Sequence, residues 1–553
     1  MNRLFKENIT ILRNAFGKEP PKQILLNALR KLCGLPPVLQ QEAKYSDYVK
    51  RRSKRLTGLP KKNFSEGLCS LIWVVSDGSH KAAALSATKK TIQTQRLVFD
   101  QVRLVTKDKK ISAQLAIDCF ENIEDALADI DHAYVCFLHD TSRLHPAYHQ
   151  EVCRYIASQE RVDLIYTCED SYDADGKRHS PQFKPQLNLD LLYGQNYIGN
   201  NIIVRKKVGD ELGWFDPTFQ EAYIYDFVLK MVRESMQIER LDEILISNPS
   251  AIINEKEMTE RKDILRFHLL RSGERAKVID GIGEGSVRVL RTYTDKPSVS
   301  IIIPFREHVD LLKQCVDSIL DKTIYNNYEI ILADNDSADP ITLKYIENLV
   351  AKRLNIHTLK QSGAFNFSAI NNAAVAASSG EYLLFLNNDT EVINEGWLSA
   401  LVGEMQRQDV GVVGAKLLYE DNTIQHAGVL MGVGHIAGHS FRNLEDGDEG
   451  HMQRANATQE YLAVTGACMM TDRVLFNQLG GFDAENLKVA YNDVDYCLRL
   501  HQLGYKIIYT PYAKLYHYES KSRTSDLSEK ERDRYDKECI FMREKWGEIY
   551  SVD

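Results

Sequence analysis

The sequence predicts an α/β protein built from two related open-sheet domains in tandem, and three observations carry that prediction. At 553 residues the chain is too long for one core, since domains run roughly 100 to 200 residues. Its apolar runs, such as LIWVV (71–75), SIIIPF (300–305) and YLLFL (382–386), have strand length. They are apolar on both faces, as in a parallel sheet covered by helices. Finally, a strand, helix, strand and polar turn occur early in the chain and again, in the same order, from Pro297.

Composition narrows the class. Apolar residues make up 44% and charged residues 26%, as in soluble globular proteins, which excludes global disorder and a coiled coil. No run approaches the ~18 apolar residues that cross a bilayer. The opening MNRLFKENITILRNAFG is interrupted by Arg3, Lys6, Glu7 and Arg13, so it lacks a secretory core and a cytoplasmic protein is expected. Ten cysteines form no CxxC pair, which offers neither a zinc knuckle nor a disulfide framework and predicts reduced thiols.

In chain order, residues 1–65 read as a basic helical extension. Residues 1–62 hold fifteen Lys or Arg against Glu7, Glu19, Glu42 and Asp47, while the whole chain carries −8. In QILLNALRKL (23–32), Ile24, Leu25, Ala28 and Leu32 share a helical face. With KRRSKR (50–55) this segment either packs on the first domain or lies on an anionic membrane, where each basic residue adds about 1 kcal/mol. Nucleic acid is excluded as a partner: aromatic interleaving is missing and the body is acidic.

The first domain, 66–250, has its strands at LIWVVSDGS, FDQVRLVTKDK (99–109) and AYVCFLHDT (133–141). Its later GWFDP (213–217) and YDFVLKM (225–231) answer GGFDA (480–484) and NDVDYCLRL (492–500). A helical linker follows over 251–296, charged and then glycine-containing at GIGEGS. The second domain, 297–523, runs from SIIIPF through YEIILADND (328–336) and GEYLLFLNNDTE (380–391). A charged helix over 524–553 opens on capping residues and packs across it.

Open α/β sheets bind ligands at the carboxyl ends of their strands. There the second domain places Asp334 and Asp336 after one strand, and Asn387, Asn388 and Asp389 after another. An acid at the first position can accept from a nucleobase or ribose. Asn-x-Asp at the other suits a hard divalent cation that bridges to phosphates. Each carboxylate alone is an ordinary turn residue; the joint pattern is more specific.

Taken with TGACMMTDRVLFNQLGGFD (465–483), YNDVDYCLRL (491–500) and KLYHYES (514–520), these motifs resemble the family 2 glycosyltransferases. The resemblance covers about 297–523 and extends to the tandem-domain, rhamnosyltransferase-like branch that makes O-antigen and other cell-surface polysaccharides. It implies two tandem GT-A domains (nucleotide-diphospho-sugar transferase, Rossmann-like) and a Mg2+ or Mn2+ cofactor. By the same resemblance, Asp334 contacts the base or ribose of a nucleotide-sugar donor, Pro304 and Arg306 flank the nucleotide, and Asn372 lies near the donor. The family's acidic metal motif falls on Asn387, Asn388 and Asp389. Because its first acidic position is Asn387 here, Asp389 carries the anionic work, with His517 as a further ligand. The general base lies at Asp493 or Asp495. Thr465, Gly466 and His426 are expected on the acceptor side, Thr465 and Gly466 being open to a plain tight-turn role. The histidines at 426, 435, 439 and 451 match no closed zinc spacing.

In the first domain, Lys107 is aligned with Asp334, and His139, Asp140 and Thr141 with the metal motif. Asn248 is aligned with His517, and either Ile224 or Asp226 with the base. That copy is therefore expected to be a scaffold or acceptor platform; the alternative is a second active transferase. The implied reaction is inverting transfer from dTDP-rhamnose or a UDP-sugar to a lipid-linked or surface-polysaccharide acceptor, with the protein at the inner membrane face. A catalytically silent glycan-binding protein is the competing class. A nucleotidyltransferase would need a glycine-rich phosphate loop after the first strand, and PFREHVD has no glycine.

Overall fold

The computed structural model describes residues 45, 47–52, 54–56, 68–76, 82–250, 254–293, 295–432, 436–518 and 531–547. The amphipathic segment 23–32, His435 and the capping residues 525–530 lie outside them. The chain divides into a unit made of residues 1–187, 198–217 and 227–253 and a unit made of 188–197, 218–226 and 254–553.

The first unit is built on β1 (Cys69–Val74), β2 (Val102–Val105), β3 (Cys119–Phe120), β4 (Tyr134–His139), β5 (Arg143–Leu144), β6 (Leu164–Tyr172), β7 (Arg178–Gln182), β8 (Ile202–Arg205) and β9 (Ile238–Pro249). Their order is β3-β2-β1-β4-β8-β6-β9-β5, with β7 on β6. Of the basic run at 50–55, Arg52 pairs with Glu243 at 2.6 Å and Arg55 with the same carboxylate. These two cations are packed against their own unit.

The linker helix forms at Glu255–Arg271 and is followed by an antiparallel hairpin, β10 (Ala276–Asp280) and β11 (Val287–Arg291). The glycines of GIGEGS therefore form a hairpin turn, where a helical segment was expected.

The second unit continues with β12 (Val299–Phe305), β13 (Tyr328–Asp334), β14 (Ile356–Lys360), β15 (Tyr382–Leu386), β16 (Thr390–Val392), β17 (Val410–Leu418), β18 (Ile424–His426), β19 (Val429–Met431), β20 (Ala437–His439), β21 (Gln459–Tyr461), β22 (Cys468–Asp472) and β23 (Lys506–His517). The main order, β14-β13-β12-β15-β22-β17-β23-β16, repeats the first sheet strand for strand. The sheet is mixed, not wholly parallel: β22 runs antiparallel between β15 and β17. Burial on both faces, which either direction satisfies, is what makes these strands continuously apolar.

Alternate residues of β12 feed two cores. Ile302 packs with Ile331, Phe385 and Ile370 on one face, while Ile301 and Ile303 pack with Leu312, Val316, Leu332 and Trp397 on the other. Each such side chain contributes roughly 1.5–3 kcal/mol when fully buried. The last helix, Arg532–Trp546, enters the first of these cores through Cys539, Met542 and Trp546. Among the described residues no helix is long and apolar enough to cross a membrane.

Candidate functional site at the carboxyl edge of the second sheet

β12 and β13 run parallel and end level, Phe305 beside Asp334. The Asp334 carboxylate is 4% exposed and accepts from the Ser337 amide at 2.9 Å. Pro304 is buried in β12, and Arg306 beyond it is exposed. Glu307, which the sequence did not single out, ties the two loops together. Its amide donates to Ser337 Oγ at 3.0 Å, and its carboxylate accepts from the Ala338 and Asp339 amides at 2.6 and 3.1 Å. These bonds hold Glu307 and His308 at φ of 52° and 54°, a left-handed conformation that non-glycine residues adopt only when their surroundings fix it.

β15 delivers the Asn387–Asp389 turn, and the antiparallel pairing of Thr390 with His517 brings the end of β23 against it. His517 Nε2 lies 3.2 Å from Asp389 Oδ1 and 3.2 Å from Asn387 Nδ2. On its other side, Nδ1 lies 2.7 Å from Gln425 Oε1. A glutamine oxygen only accepts, so Nδ1 carries the proton and Nε2 presents its lone pair. A lone-pair nitrogen and a carboxylate oxygen thus face each other at 3.2 Å. Two groups each ~2.1 Å from one octahedral cation stand at about that separation. The residues fit a divalent ion, with Asp389 and His517 as the protein's donors and Gln425 fixing the imidazole; Asn388, 7% exposed, lies in the same turn.

Asp493 opens the helix Asn492–Gln502. Its Oδ2 accepts from the Gly466 amide at 2.7 Å and its Oδ1 from the Val494 amide at 2.8 Å. Burial raises this carboxyl above the ordinary value, opposed by those amides and the Thr465 hydroxyl. Thr465 and Gly466 therefore cradle Asp493, and an added Cβ at Gly466 would stand 3.6 Å from its Oδ2. One residue further on, the Ala467 carbonyl accepts from the Asn387 amide at 3.1 Å. Two short steps along the backbone thus connect Asp493 to the Asn387–Asp389 turn.

Asp495 is corrected as a base. It is fully buried, and its oxygens receive Arg499 at 2.8 Å, Lys545 at 2.6 Å and the Trp546 indole at 3.0 Å. Three donors leave no room for an acceptor hydroxyl. His426 is corrected as an acceptor contact, because it is fully buried, 2.8 Å from His439 Nδ1 and edge-on to Tyr509. Burial, with His439 and His517 nearby, keeps it well below the usual histidine value. Asn372 is taken up elsewhere: its amide oxygen accepts from the Phe482 N–H at 3.0 Å and its Nδ2 donates to the Phe482 carbonyl at 2.8 Å. It clamps the GGFDA turn.

Strand register also settles the comparison between copies. Val74 pairs with both Val105 and His139; Pro304 pairs with Ala333, and extending the β12–β15 register by two places sets it opposite Asn387. With His139 set on Asn387, as the sequence alignment has it, Thr106, not Lys107, falls at the position of Asp334. The difference is loss of a carboxylate, with no charge reversal at that position. Arg143 pairs with Ser247, so the next rung sets Ser142 against Asn248 as Thr390 stands against His517. Ser142 Oγ donates to Asn248 Oδ1 at 2.8 Å. Beside them the ammonium of Lys184, 1% exposed, pairs with Glu169, which also accepts from Asn248. The helices Tyr223–Arg233 and Asn492–Gln502 have equal length, and matching their starts sets Ile224, fully buried, at the Asp493 position. In the DADGK turn Asp173 accepts from the Asp175 and Lys177 amides at 3.0 and 2.8 Å, an ordinary self-bonded turn.

Residues 300–480 match the family model described as Glycosyl transferase family 2. An uncharacterized protein, y4gI, of Sinorhizobium fredii is 37% identical over 75% of this chain and 47% of its own length. The O-antigen biosynthesis protein RfbC of Myxococcus xanthus is 38% identical over 71% of this chain and 31% of its own. The chain spans less than half the length of either relative. A solved mannosyltransferase, PcManGT from Pyrobaculum calidifontis in complex with GDP-Man and Mn2+, aligns with 46% of this chain and 64% of its own at 16% identity and a TM-score of 0.33.

Proposed function

From its membership of glycosyltransferase family 2, carried by residues 300–480, we propose that the chain transfers one sugar, with inversion, from a nucleotide-activated donor to a hydroxyl of a growing glycan. The observation that carries this is the facing pair Asp389 Oδ1 and His517 Nε2 at 3.2 Å, joined through Asn387, Ala467 and Gly466 to Asp493. A divalent ion, Mg2+ or Mn2+, supplies charge that stabilises the leaving nucleoside diphosphate.

The chain's own residues do the rest. Asp334, at the end of β13, receives the ribose or base donors. Asp493 takes the proton of the acceptor hydroxyl as that oxygen bonds to the anomeric carbon and the bond from that carbon to the diphosphate oxygen breaks. A raised carboxyl suits this step, because its conjugate base is stronger than that of an ordinary aspartate. Gly466 and Val494 aim the carboxylate, while Gln425 and the β16–β23 pairing aim His517.

The first unit serves as a scaffold or acceptor platform in this reading, forming the degenerate member of a tandem GT-A pair. Thr106, Thr141, Asn248 and Ile224 of the first copy, residues 66–250, stand where the second copy has Asp334, Asp389, His517 and Asp493. The Lys184 ammonium supplies an internal cation beside Asn248. The name of the Myxococcus relative supports a lipid-linked or surface-polysaccharide acceptor, assembled at the inner face of the cytoplasmic membrane. dTDP-rhamnose is the first donor to test and UDP-hexoses the second.

A panel of these sugar nucleotides, assayed with Mg2+ or Mn2+, tests the reading. Asp389→Ala weakens donor binding, whereas Asp493→Asn leaves binding intact and lowers kcat about 10²- to 10⁴-fold. Full turnover in Asp493→Asn, or metal-independent turnover by the wild type, contradicts it.

A further inference from the structure

Outside the transfer site, the first unit gathers Cys69, Cys153 and His149 so that one ligand atom from each lies within 4.8 Å of the others. His149 and Cys153 sit four residues apart on the helix Tyr148–Ser158, hence on one face, and Cys69 opens β1 beneath them. All three are buried, at 3%, 1% and 1% exposure. Sequence spacing gave no hint of this, because the ligands come from positions 69, 149 and 153 and meet only through the fold.

The imidazole is oriented for ligation. Its Nδ1 lies 3.0 Å from the Leu97 carbonyl, which can only accept, so Nδ1 carries the proton. The ring stacks on Phe99 at 3.9 Å, and the His149 amide is held by Gln95 Oε1 at 3.1 Å. Nε2 is left deprotonated and buried, with no hydrogen-bond partner in regular geometry among the described residues, and it faces the Cys153 thiol. A bare nitrogen lone pair in an apolar core carries a desolvation cost that a bound cation removes. The two sulfurs lie 4.0 Å apart. Sulfurs each ~2.3 Å from one tetrahedral zinc stand about 3.8 Å apart.

We propose that Cys69, Cys153 and His149 form a binding site for a thiophilic d10 cation, Zn2+, in the core of the first unit. Cys136 contacts Cys69 from the neighbouring strand and adds a further thiol to the surroundings. With every ligand buried, the ion enters as the unit folds, and its role is to staple β1 to the Tyr148–Ser158 helix. This site is independent of sugar transfer.

Elemental analysis of the full chain tests it. Asp389→Ala is used as the background, so that the second unit's metal site does not contribute, and the protein is purified under reducing conditions without chelator. One equivalent of zinc per chain is expected. Refolding with Co2+ instead should give the near-ultraviolet charge-transfer band of thiolate-bound cobalt. Cys153→Ser and His149→Gln should each lower metal content at least tenfold, while Cys119→Ser, at an exposed cysteine, should leave it unchanged. The proposal is overturned by less than a tenth of an equivalent of zinc after refolding with excess Zn2+, by a cobalt spectrum without the thiolate band, or by a Cys69–Cys153 disulfide in the reduced preparation. If either ligand variant fails to fold, the wild-type zinc content and cobalt spectrum decide.

Discussion

Asp493 and Asp495 stand two residues apart on one helix, about 200° around its axis, so they face different surroundings. Asp493 meets two backbone amides at the carboxyl edge of the sheet, whereas Asp495 is buried under two cations and an indole. Asp495→Asn should therefore destabilise the fold by about 3–5 kcal/mol, the usual result of breaking a buried ion pair, read as a lower urea midpoint. Asp493→Asn should do the reverse. Burial raises the Asp493 carboxyl, so the folded state binds this proton more tightly than the unfolded chain, and stability falls as pH rises through the folded value. Replacing it should leave the midpoint at pH 7 equal or higher while activity collapses. In the proposed transfer the carboxylate is the working form, so the acid limb of kcat/KM should lie above the usual aspartate value. Thr465→Val removes a hydroxyl that lowers that value and should move the limb to higher pH. Gln425 fixes the His517 proton without being one of the proposed metal donors, and Gln425→Leu should weaken Mn2+ binding 10- to 100-fold, measured by titration.

At the scale of elements, the last helix links stability to the site's neighbourhood. Trp546 is 4% exposed in the core and donates to Asp495, and Glu538 accepts from the Val489 and Ala490 amides just before the helix that carries Asp493. Trp546→Ala should cost about 3–5 kcal/mol and, through Asp495, should loosen the helix bearing Asp493, lowering kcat more than it raises KM for the donor. Much of this level was legible in the sequence. Strand-length apolar runs and the acids after them located β12, β13 and β15 and the turns at Asp334 and Asp389. Three features were not legible, each for a physical reason. Strand direction leaves no mark on a strand buried on both faces, so the antiparallel β22 was hidden. A one-residue slip between faint repeats is invisible without the pairing register, which is how Lys107 was set where Thr106 belongs. Which of two nearby helical carboxylates faces inward depends on a partner, Lys545, fifty residues away.

For the whole molecule, two sheets share one strand order, but only the second carries Asp334, Asp389, His517 and Asp493 along its carboxyl edge. Several differences separate the copies, so Thr106→Asp alone should not create a second donor site. The most direct test of the account is a calorimetric titration of the full chain with nucleoside diphosphate in the presence and absence of Mn2+. One Mn2+-dependent site per chain is predicted, weakened at least tenfold by Asp389→Ala and by His517→Ala with unchanged melting temperatures. Two equal sites, or a single site indifferent to both substitutions, would contradict the assignment of the metal and donor to the second sheet.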